Sequence, residues 1–176
     1  MDKDSKESQE STEWSNQVED RATEAAKKRA VRILGDRYMS KSEIIRRLIG
    51  KGETEEAAEA AAGWLEGAGA INDAEYASMI GRHYTAKGYG AARVRDELFR
   101  RGIPREMWDD VPAAADSSGA EEVAVEFIGK KLNGSVEKGD LRRVEANLQR
   151  RGFSYDEARA AISRYLECLE EAEGEQ

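Results

Sequence analysis

The chain has 176 residues, of which 39% are hydrophobic, 36% charged and 7% aromatic, and its formal net charge is −8 at pH 7. This length suits one ordinary domain or a short array of repeats, and the acidic balance argues against a general nucleic-acid binder, because phosphate contacts rest on Lys and Arg. The single cysteine, Cys168, excludes an internal disulfide framework. We expect neither a signal peptide, since the N-terminus is polar and acidic, nor a membrane span of roughly 20 apolar residues, and therefore predict a cytoplasmic protein.

One pattern returns three times along the chain at an interval of 50 residues. It consists of an apolar residue, a Leu four positions later and a Gly four positions further on, as Ile44–Leu48–Gly52, Val94–Leu98–Gly102 and Val144–Leu148–Gly152. The i, i+4 spacing places the first two residues on one face of a helix. The glycine suits the left-handed residue that ends a helix, so we interpret Gly52, Gly102 and Gly152 as structural caps.

Amphipathic segments flank each copy of this pattern, and no segment alternates as a strand does. The preceding segments carry Ala30, Ile33, Leu34 and Tyr38, then Tyr76, Ala77, Ile80 and Tyr84, then Val123, Ala124, Phe127, Ile128 and Leu132. The following segments are "TEEAAEAAAGWLEGA" from Thr54, "PREMWDDV" from Pro104 and "EARAAISRYLECL" from Glu157. Capping boxes at Ser40 with Glu43 and at Ser154 with Glu157 indicate helix starts.

The sequence therefore predicts an all-α fold of three tandem three-helix repeats that form an elongated, curved, solenoid-like array. The predicted divisions are an acidic disordered tail at 1–22, repeat 1 at 23–72, repeat 2 at 73–116, repeat 3 at 117–170 and a disordered acidic tail at 171–176. A compact helical bundle is the alternative, and the fixed interval of 50 residues argues against it.

The charge follows the same period. Residues 21–52, 82–105 and 130–151 carry net charges of +7, +5 and +4, whereas 53–75 and 106–126 each hold seven acids and no base. The first two helices of each repeat are thus basic and the third is acidic. Solvated helix faces with internal ion pairs are one interpretation. Complementary stripes on a long surface also suit an extended, charged and repetitive partner.

Four arginines of the basic segments share one helical face. At 100° per residue, two of them fall about 100–120° from the buried Val94, and the other two fall at the same angles from Val144. Arginine forks bind carboxylates or phosphates, so we expect this face to contact a partner; a solvated face is the alternative. The candidate partner-binding residues are this set, Arg93, Arg100, Arg143 and Arg150, together with Lys87, Tyr89 and Arg95 of the middle repeat.

The motifs of enzymes are missing from the sequence. His83 and Cys168 are the only residues of their types, so no His/Cys metal set exists. The stretch "GKGETEE" at 50–56 lacks the Lys-Ser/Thr of a phosphate loop, and "KGYGAARV" at 87–94 lacks the third glycine and the preceding strand of a dinucleotide fingerprint. We expect no catalytic residue, cofactor, metal or small-molecule substrate.

Three segments resemble the RecX family, the bacterial modulators of the RecA recombinase. They are "RAVRILGDRYMSKSEIIRRLIGKG" from Arg29, "INDAEYASMIGRHYTAKGYGAARVRDELFRRGI" from Ile71 and "RRVEANLQRRGFSYDEARAAI" from Arg142. The resemblance covers about residues 25–169, and its most specific elements are Asp-x-x-Tyr-Ala, Lys-Gly-Tyr-Gly and Leu-x-x-x-Gly-Ile of the middle repeat. The chain departs from the family in its acidic N-terminal extension and in the alanine-rich "EEAAEAAAGWL".

The resemblance implies three tandem three-helix repeats and a cytoplasmic, monomeric, non-enzymatic regulator. Such a protein binds the RecA filament along its groove and restrains ATP hydrolysis, strand exchange and co-protease activity. It thereby modulates homologous recombination, DNA repair and the SOS response. DNA is then contacted only within or alongside the filament.

Two other functions remain open. The chain is an autonomous DNA-binding module if "SKSEIIRRL" forms part of a helix-turn-helix. The helix that follows this turn would read the DNA, and its acidic character in repeat 1 argues against that role. A structural adaptor for another filamentous partner is the third possibility.

Overall fold

The computed structural model describes residues 3–111, 118–132 and 137–174, and in this part of the chain it contains eight α-helices, one 3-10 helix and no strand. The α-helices are α1 (Lys3–Leu34), α2 (Lys41–Ile49), α3 (Glu55–Gly67), α4 (Asp73–Ala86), α5 (Ala91–Arg101), α6 (Ser118–Leu132), α7 (Lys138–Arg150) and α8 (Tyr155–Gly174). The prediction of an all-α fold is confirmed. Across the described residues, none of the helices combines the length and the apolar character that crossing a membrane requires.

The helices form two compact units, Met1–Asp73 and Ala74–Gln176. The division falls next to the joint that the sequence places between repeats 1 and 2. The predicted joint between repeats 2 and 3, at residues 116 and 117, lies outside the described residues.

In the first unit, α1 and α3 pack through small side chains. The alanines at this contact are fully or almost fully buried: Ala26 and Ala30 on α1, and Ala57, Ala58, Ala61 and Ala62 on α3. Because alanine ends at Cβ, two helices that meet through it can approach closely, and Ile44 and Leu48 of α2 complete the core. The alanine-rich stretch that departs from the family pattern therefore has a packing role.

The start of α2 is capped from two directions. Ser40 Oγ accepts a hydrogen bond from Glu43 N at 3.1 Å, and Glu43 Oε2 accepts one from Ser40 N at 3.1 Å, which confirms the predicted capping box. Asp73 Oδ1 accepts a bond from Lys41 N at 2.9 Å, so the end of the unit closes onto its second helix. Burial raises the pKa of Asp73, although the bond from Lys41 opposes this shift.

The second unit contains two apolar clusters, one in each repeat. The first lies among α4, α5 and the segment after α5, and it contains Tyr76, Ala77, Ile80, Val94, Leu98, Ile103 and Val111. The second lies among α6, α7 and α8, and it contains Ala124, Ile128, Leu132, Val144, Leu148, Phe153, Ala158, Ala161 and Tyr165. The apolar residue and the Leu of the repeat pattern are therefore buried in all three repeats, as their spacing predicts.

The third helix of repeat 2 differs from the prediction. In place of a helix over "PREMWDDV", the described residues contain one 3-10 turn, Arg105–Met107. Trp108 Nε1 donates to the carbonyl oxygen of Ile103 at 3.1 Å and holds the chain in this turn. The sequence offers a reason, because Pro112 disfavours helical backbone at the residue before it and leaves only a short stretch after Pro104.

The first and last helices reach into the acidic ends of the chain, where the disorder expected at 1–22 and 171–176 stays a prediction. Helix α1 begins at Lys3, within the segment expected to be disordered, and α8 continues to Gly174. No Gly or Pro occurs between Lys3 and Leu34, so nothing in the backbone interrupts a helix there. Residues 175 and 176 lie outside the described part.

Candidate partner-binding surface of repeats 2 and 3

Three of the four arginines predicted to share a face are exposed, and each has a partner on its own helix. Arg100 Nη1 lies 3.5 Å from Glu97 Oε2, and Arg143 Nη1 lies 3.2 Å from Asp140 Oδ1. Arg150 Nη2 donates to Asn147 Oδ1 at 2.6 Å. All of these pairs join residues three positions apart, so the arginines remain close to their helices, with their guanidinium groups accessible to a partner.

The fourth arginine, Arg93, is half-buried, and its Nε has no hydrogen-bond partner among the described residues. Its guanidinium carbon lies 5.9 Å from the centre of the Tyr89 ring. A Cβ atom added to Gly152 would lie 2.4 Å from Arg93 N, which shows how closely α5 approaches the turn after α7. The expectation that Arg93 is exposed beside Arg100 is therefore corrected, because this close packing draws Arg93 into the contact between repeats 2 and 3.

The turn "KGYG" between α4 and α5 takes part in the same contact, on the side of repeat 2. Gly90 N donates to the carbonyl oxygen of Arg151 at 2.9 Å, and Ala92 N donates to that of Gly152 at 3.1 Å. A Cβ atom at Gly90 would lie 2.5 Å from the oxygen of Gly152, so only glycine fits here. The lysine of the turn, Lys87, is exposed.

Arg151 joins the two repeats, and sequence reasoning did not assign it this role. Its Nη1 donates to the carbonyl oxygens of Lys87 at 3.0 Å and Gly88 at 3.1 Å. Its guanidinium carbon lies 4.2 Å from the centre of the Phe127 ring and 5.0 Å from that of Tyr89. Both rings contribute cation–π attraction. Tyr89, a predicted partner-binding residue, is thus half-buried between two arginines and helps to fix repeat 2 against repeat 3.

A buried carboxylate organises the basic end of α5. Glu97 is 6% exposed, and its Oε1 accepts a hydrogen bond from Arg101 Nε at 2.8 Å. Burial raises the pKa of Glu97, but hydrogen bonds from Arg101 and Tyr84 and the charges of Arg101 and Arg100 outweigh burial, so the pKa lies below its ordinary value. Burial and the bond to Glu97 raise the pKa of Tyr84. The same carboxylate thus links α4 to α5 and holds two arginines in place.

The remaining predicted residues lie at helix ends and on the surface. Arg95 is exposed on α5. Gly52, Gly102 and Gly152 have φ angles of +91°, +69° and +91°, the left-handed conformation expected of residues that follow a helix. All seven candidate partner-binding residues belong to the second unit. The structure brings Lys87 and Tyr89 into contact with Arg151, and Arg93 lies against Tyr89.

Features of catalytic sites are scarce in the part of the chain that the structure describes. It contains no group of three or more His, Cys, Asp or Glu side chains that could hold a metal ion. An open cavity of about 190 Å³ in the first unit is lined by Glu24, Lys27, Lys28, Val31 and Trp64. Its volume is below the range of roughly 300–1,000 Å³ that is usual for small-molecule sites.

Repeats of glycine-capped helices, with arginines exposed on the middle helix of repeats 2 and 3, define an α-helical repeat protein with a charged surface on those helices. A family model described as "RecX, second three-helix domain" matches residues 72–111, which contain α4, α5 and the 3-10 turn. A regulatory protein RecX from Amycolatopsis mediterranei is 31% identical over 138 residues, which cover 76% of this chain and 79% of that protein. The regulatory protein RecX of Stenotrophomonas maltophilia is 34% identical over 137 residues, with 76% and 82% covered. The chain belongs to the RecX family of regulatory proteins.

Two solved structures share this fold. The crystal structure of RecX from Lactobacillus salivarius superposes with a TM-score of 0.73 at 19% identity, covering 82% of this chain and 96% of that one. A second crystal structure of a regulatory protein RecX gives a TM-score of 0.72 at 20% identity, covering 87% of this chain and 77% of that one.

Proposed function

We propose that this protein binds the RecA nucleoprotein filament along its groove and inhibits RecA ATPase, strand exchange and co-protease activity without catalysing a reaction itself. In this role it modulates homologous recombination, DNA repair and the SOS response. DNA is contacted only within or alongside the filament. Because that filament assembles on chromosomal DNA, the proposal makes the protein cytoplasmic, and it acts as a monomer.

Membership of the RecX family carries the proposal, because the relatives named regulatory protein RecX cover three quarters or more of the chain. The exposed arginines on α5 and α7 support it. Arg100 and Arg150 stand 50 residues apart, at the same position of repeats 2 and 3, and Arg143 is exposed on the same helix as Arg150. A surface that repeats along the chain suits a partner that repeats along its own axis.

The test is the DNA-dependent ATPase of RecA, measured on preformed filaments on single-stranded DNA while this protein is titrated. We expect turnover to fall to a low plateau and the protein to sediment with the filaments. Unchanged turnover at saturating protein contradicts the inhibitory role, and absence from the sedimented filaments contradicts binding.

A second measurement separates this function from autonomous DNA binding. A filter-binding titration with single- and double-stranded DNA, without RecA, is repeated over a range of salt concentrations. An autonomous binder gives tight binding with a steep salt dependence, because it displaces counterions from phosphates. The proposal predicts weak binding at physiological salt in the absence of RecA.

A further inference from the structure

Phe99 on α5 is exposed to an unusual degree for a large apolar side chain. It is 75% exposed, the highest value among the large hydrophobic residues of the described part that are exposed. Within that part it makes no ring or cation–π contact. Moving such a side chain from water to an apolar site makes a favourable contribution to the free energy of binding. The fold does not use this contribution, so it is available to a partner.

Phe99 lies on the outward face of α5. The neighbouring Leu98 is fully buried, and Phe99 follows it by 100° around the helix. Arg95 and Ala92 lie four and seven positions earlier, on the same face, and both are exposed. Arg95 lies about one turn before Phe99 and the small Ala92 about two turns before it, so this face offers an exposed aromatic side chain with a guanidinium on its N-terminal side.

Repeat 1 presents an apolar residue at the same position. Ile49 stands 50 residues before Phe99, directly after the buried Leu48, and it is 44% exposed. Repeat 3 has the polar Gln149 there. The exposed apolar position is thus present on α2 and α5, and both helices also expose two arginines: Arg46 and Arg47 on α2, and Arg95 and Arg100 on α5. Phe99 is the larger and more exposed of the two apolar side chains.

We propose that the outward face of α5, with Phe99 as its anchor and Arg95 and Arg100 beside it, docks into an apolar pocket edged by carboxylates on a RecA subunit of the filament. The proposal rests on the proposed function and names the contact through which it acts. Aromatic and arginine side chains are enriched at the buried centres of protein interfaces, where a few such anchors carry most of the binding energy.

The charges around Phe99 favour a protein over a nucleic acid. Helix α5 carries four arginines and two acids, and Glu97 is buried in its bonds to Arg101 and Arg100. The other acid, Asp96, is exposed and stands three positions before Phe99. A protein surface offers both signs and can pair with Asp96, whereas a DNA backbone offers only negative phosphates and is repelled by it.

The test compares Phe99→Ala with Phe99→Leu in co-sedimentation with RecA filaments and in the RecA ATPase assay. Leucine fills an apolar pocket but cannot stack on a base. We expect Phe99→Ala to raise the concentration for half-maximal binding and inhibition at least about tenfold, the typical effect of removing an interface anchor. We expect Phe99→Leu to remain within about threefold of the wild type. Because Phe99 is exposed, both variants should melt like the wild type.

A matched control is Trp64→Ala, which removes an exposed aromatic side chain from α3 in the other unit and should leave binding unchanged. If Phe99→Ala binds RecA filaments with wild-type affinity, the proposed docking through Phe99 is wrong. Loss of binding by both Phe99 variants, with weaker binding of single-stranded DNA without RecA, overturns it in favour of base stacking. If the wild type binds filaments without inhibiting them, the proposed inhibition fails while the binding assay still tests Phe99. If the wild type does not bind, both fail.

Discussion

At the residue scale, the contact between repeats 2 and 3 depends on positions that cannot carry a larger side chain. Gly90 and Gly152 let two turns meet through backbone hydrogen bonds, and Arg151 covers the contact with its guanidinium between two rings. Residues at the same positions in repeat 1, Ser40 and Lys51, have other partners or roles there, since Ser40 caps α2. The same positions of the repeat therefore form a contact between repeats 2 and 3, whereas in repeat 1 one of them caps a helix.

Gly152 and Gly52 provide a matched pair of substitutions, because they occupy the same position in their repeats and both have φ of +91°. Alanine at either position is strained by the left-handed backbone, at a cost of about 1 kcal/mol. At Gly152 the new Cβ would also lie 2.4 Å from Arg93 N, whereas at Gly52 it would meet nothing within 4 Å. We therefore expect Gly152→Ala to destabilise by about 2–4 kcal/mol and Gly52→Ala by about 1 kcal/mol.

Chemical denaturation, monitored by hydrogen exchange at the backbone amides of α5 and α2, gives the free energy of unfolding of each unit and checks this prediction. Equal losses for the two variants would show that the approach of Arg93 to Gly152 does not constrain the fold.

The three glycines of the repeat pattern could be predicted from the sequence, whereas the contacts of Arg151 could not. Spacing alone places Gly52, Gly102 and Gly152 after helices, because the need for a left-handed residue is local. The contacts of Arg151 with two aromatic rings were not predicted, because the helix dipole already explains a cation at the end of a helix. The two rings belong to Phe127 and Tyr89, which precede Arg151 by 24 and 62 residues in the sequence. No local signal identifies such a contact.

At the element scale, periodicity predicts the helices but not the third helix of repeat 2. Each of α2, α5 and α7 has a buried pair four residues apart and a terminating glycine, so local rules suffice. The segment after Pro104 has only seven residues before Pro112, and the hydrogen bond from the side chain of Trp108 to the carbonyl oxygen of Ile103 holds it in a turn. Arg100, Arg143 and Arg150 are exposed, as their angles on the helix indicate, whereas Arg93 is half-buried because packing between repeats overrides its angle.

Helix α5 is joined to α4 through Glu97, and this linkage should make the stability of the second unit dependent on pH. The pKa of Glu97 is lowered in the folded state, so its contribution is fully present above its unfolded value of about 4.3 and is lost as pH falls through the folded value. Glu97→Gln removes the buried negative charge that pairs with Arg101 and Arg100. We expect it to cost about 1–3 kcal/mol at pH 7 and to weaken the loss of stability that occurs as pH falls below the unfolded value of about 4.3.

Thermal melts from pH 7 to pH 3 measure this effect. Glu126→Gln is the control, since Glu126 pairs with Lys130 at 2.6 Å but both side chains are largely exposed. That variant should melt within a few degrees of the wild type at every pH. A Glu97→Gln variant with the acid sensitivity of the wild type would show that the buried carboxylate does not set it.

At the scale of the whole molecule, the proposed function depends on where the charge lies more than on its sum. The chain is acidic overall, with a net charge of −8, yet its second helices expose arginines in repeats 2 and 3. An acidic protein with a local basic surface avoids general attachment to nucleic acid and still binds a partner that presents carboxylates or phosphates at the right spacing. The family match of residues 72–111 includes α5, where the basic surface and Phe99 are found together.

The exposed arginines can be tested as a set. Arg93 is left unchanged, because it is packed between repeats 2 and 3. We expect Arg100→Gln with Arg143→Glu and Arg150→Glu to raise the concentration for half-maximal RecA inhibition at least tenfold, because three guanidinium contacts are removed or reversed. Glutamine at position 100 avoids placing a second carboxylate beside Glu97. All three side chains are exposed, so the helical melt should shift by only a few degrees.

The control makes the same change in net charge elsewhere in the second unit, with Lys130→Glu, Lys131→Gln and Arg164→Glu on α6 and α8. If inhibition responds to total charge, both triple variants lose it equally. If it responds to the arginines on the middle helices, only the first triple variant loses it, and the control inhibits like the wild type. Wild-type inhibition by the first variant would mean that these arginines are a solvated face, and it would leave Phe99 as the contact to pursue on α5.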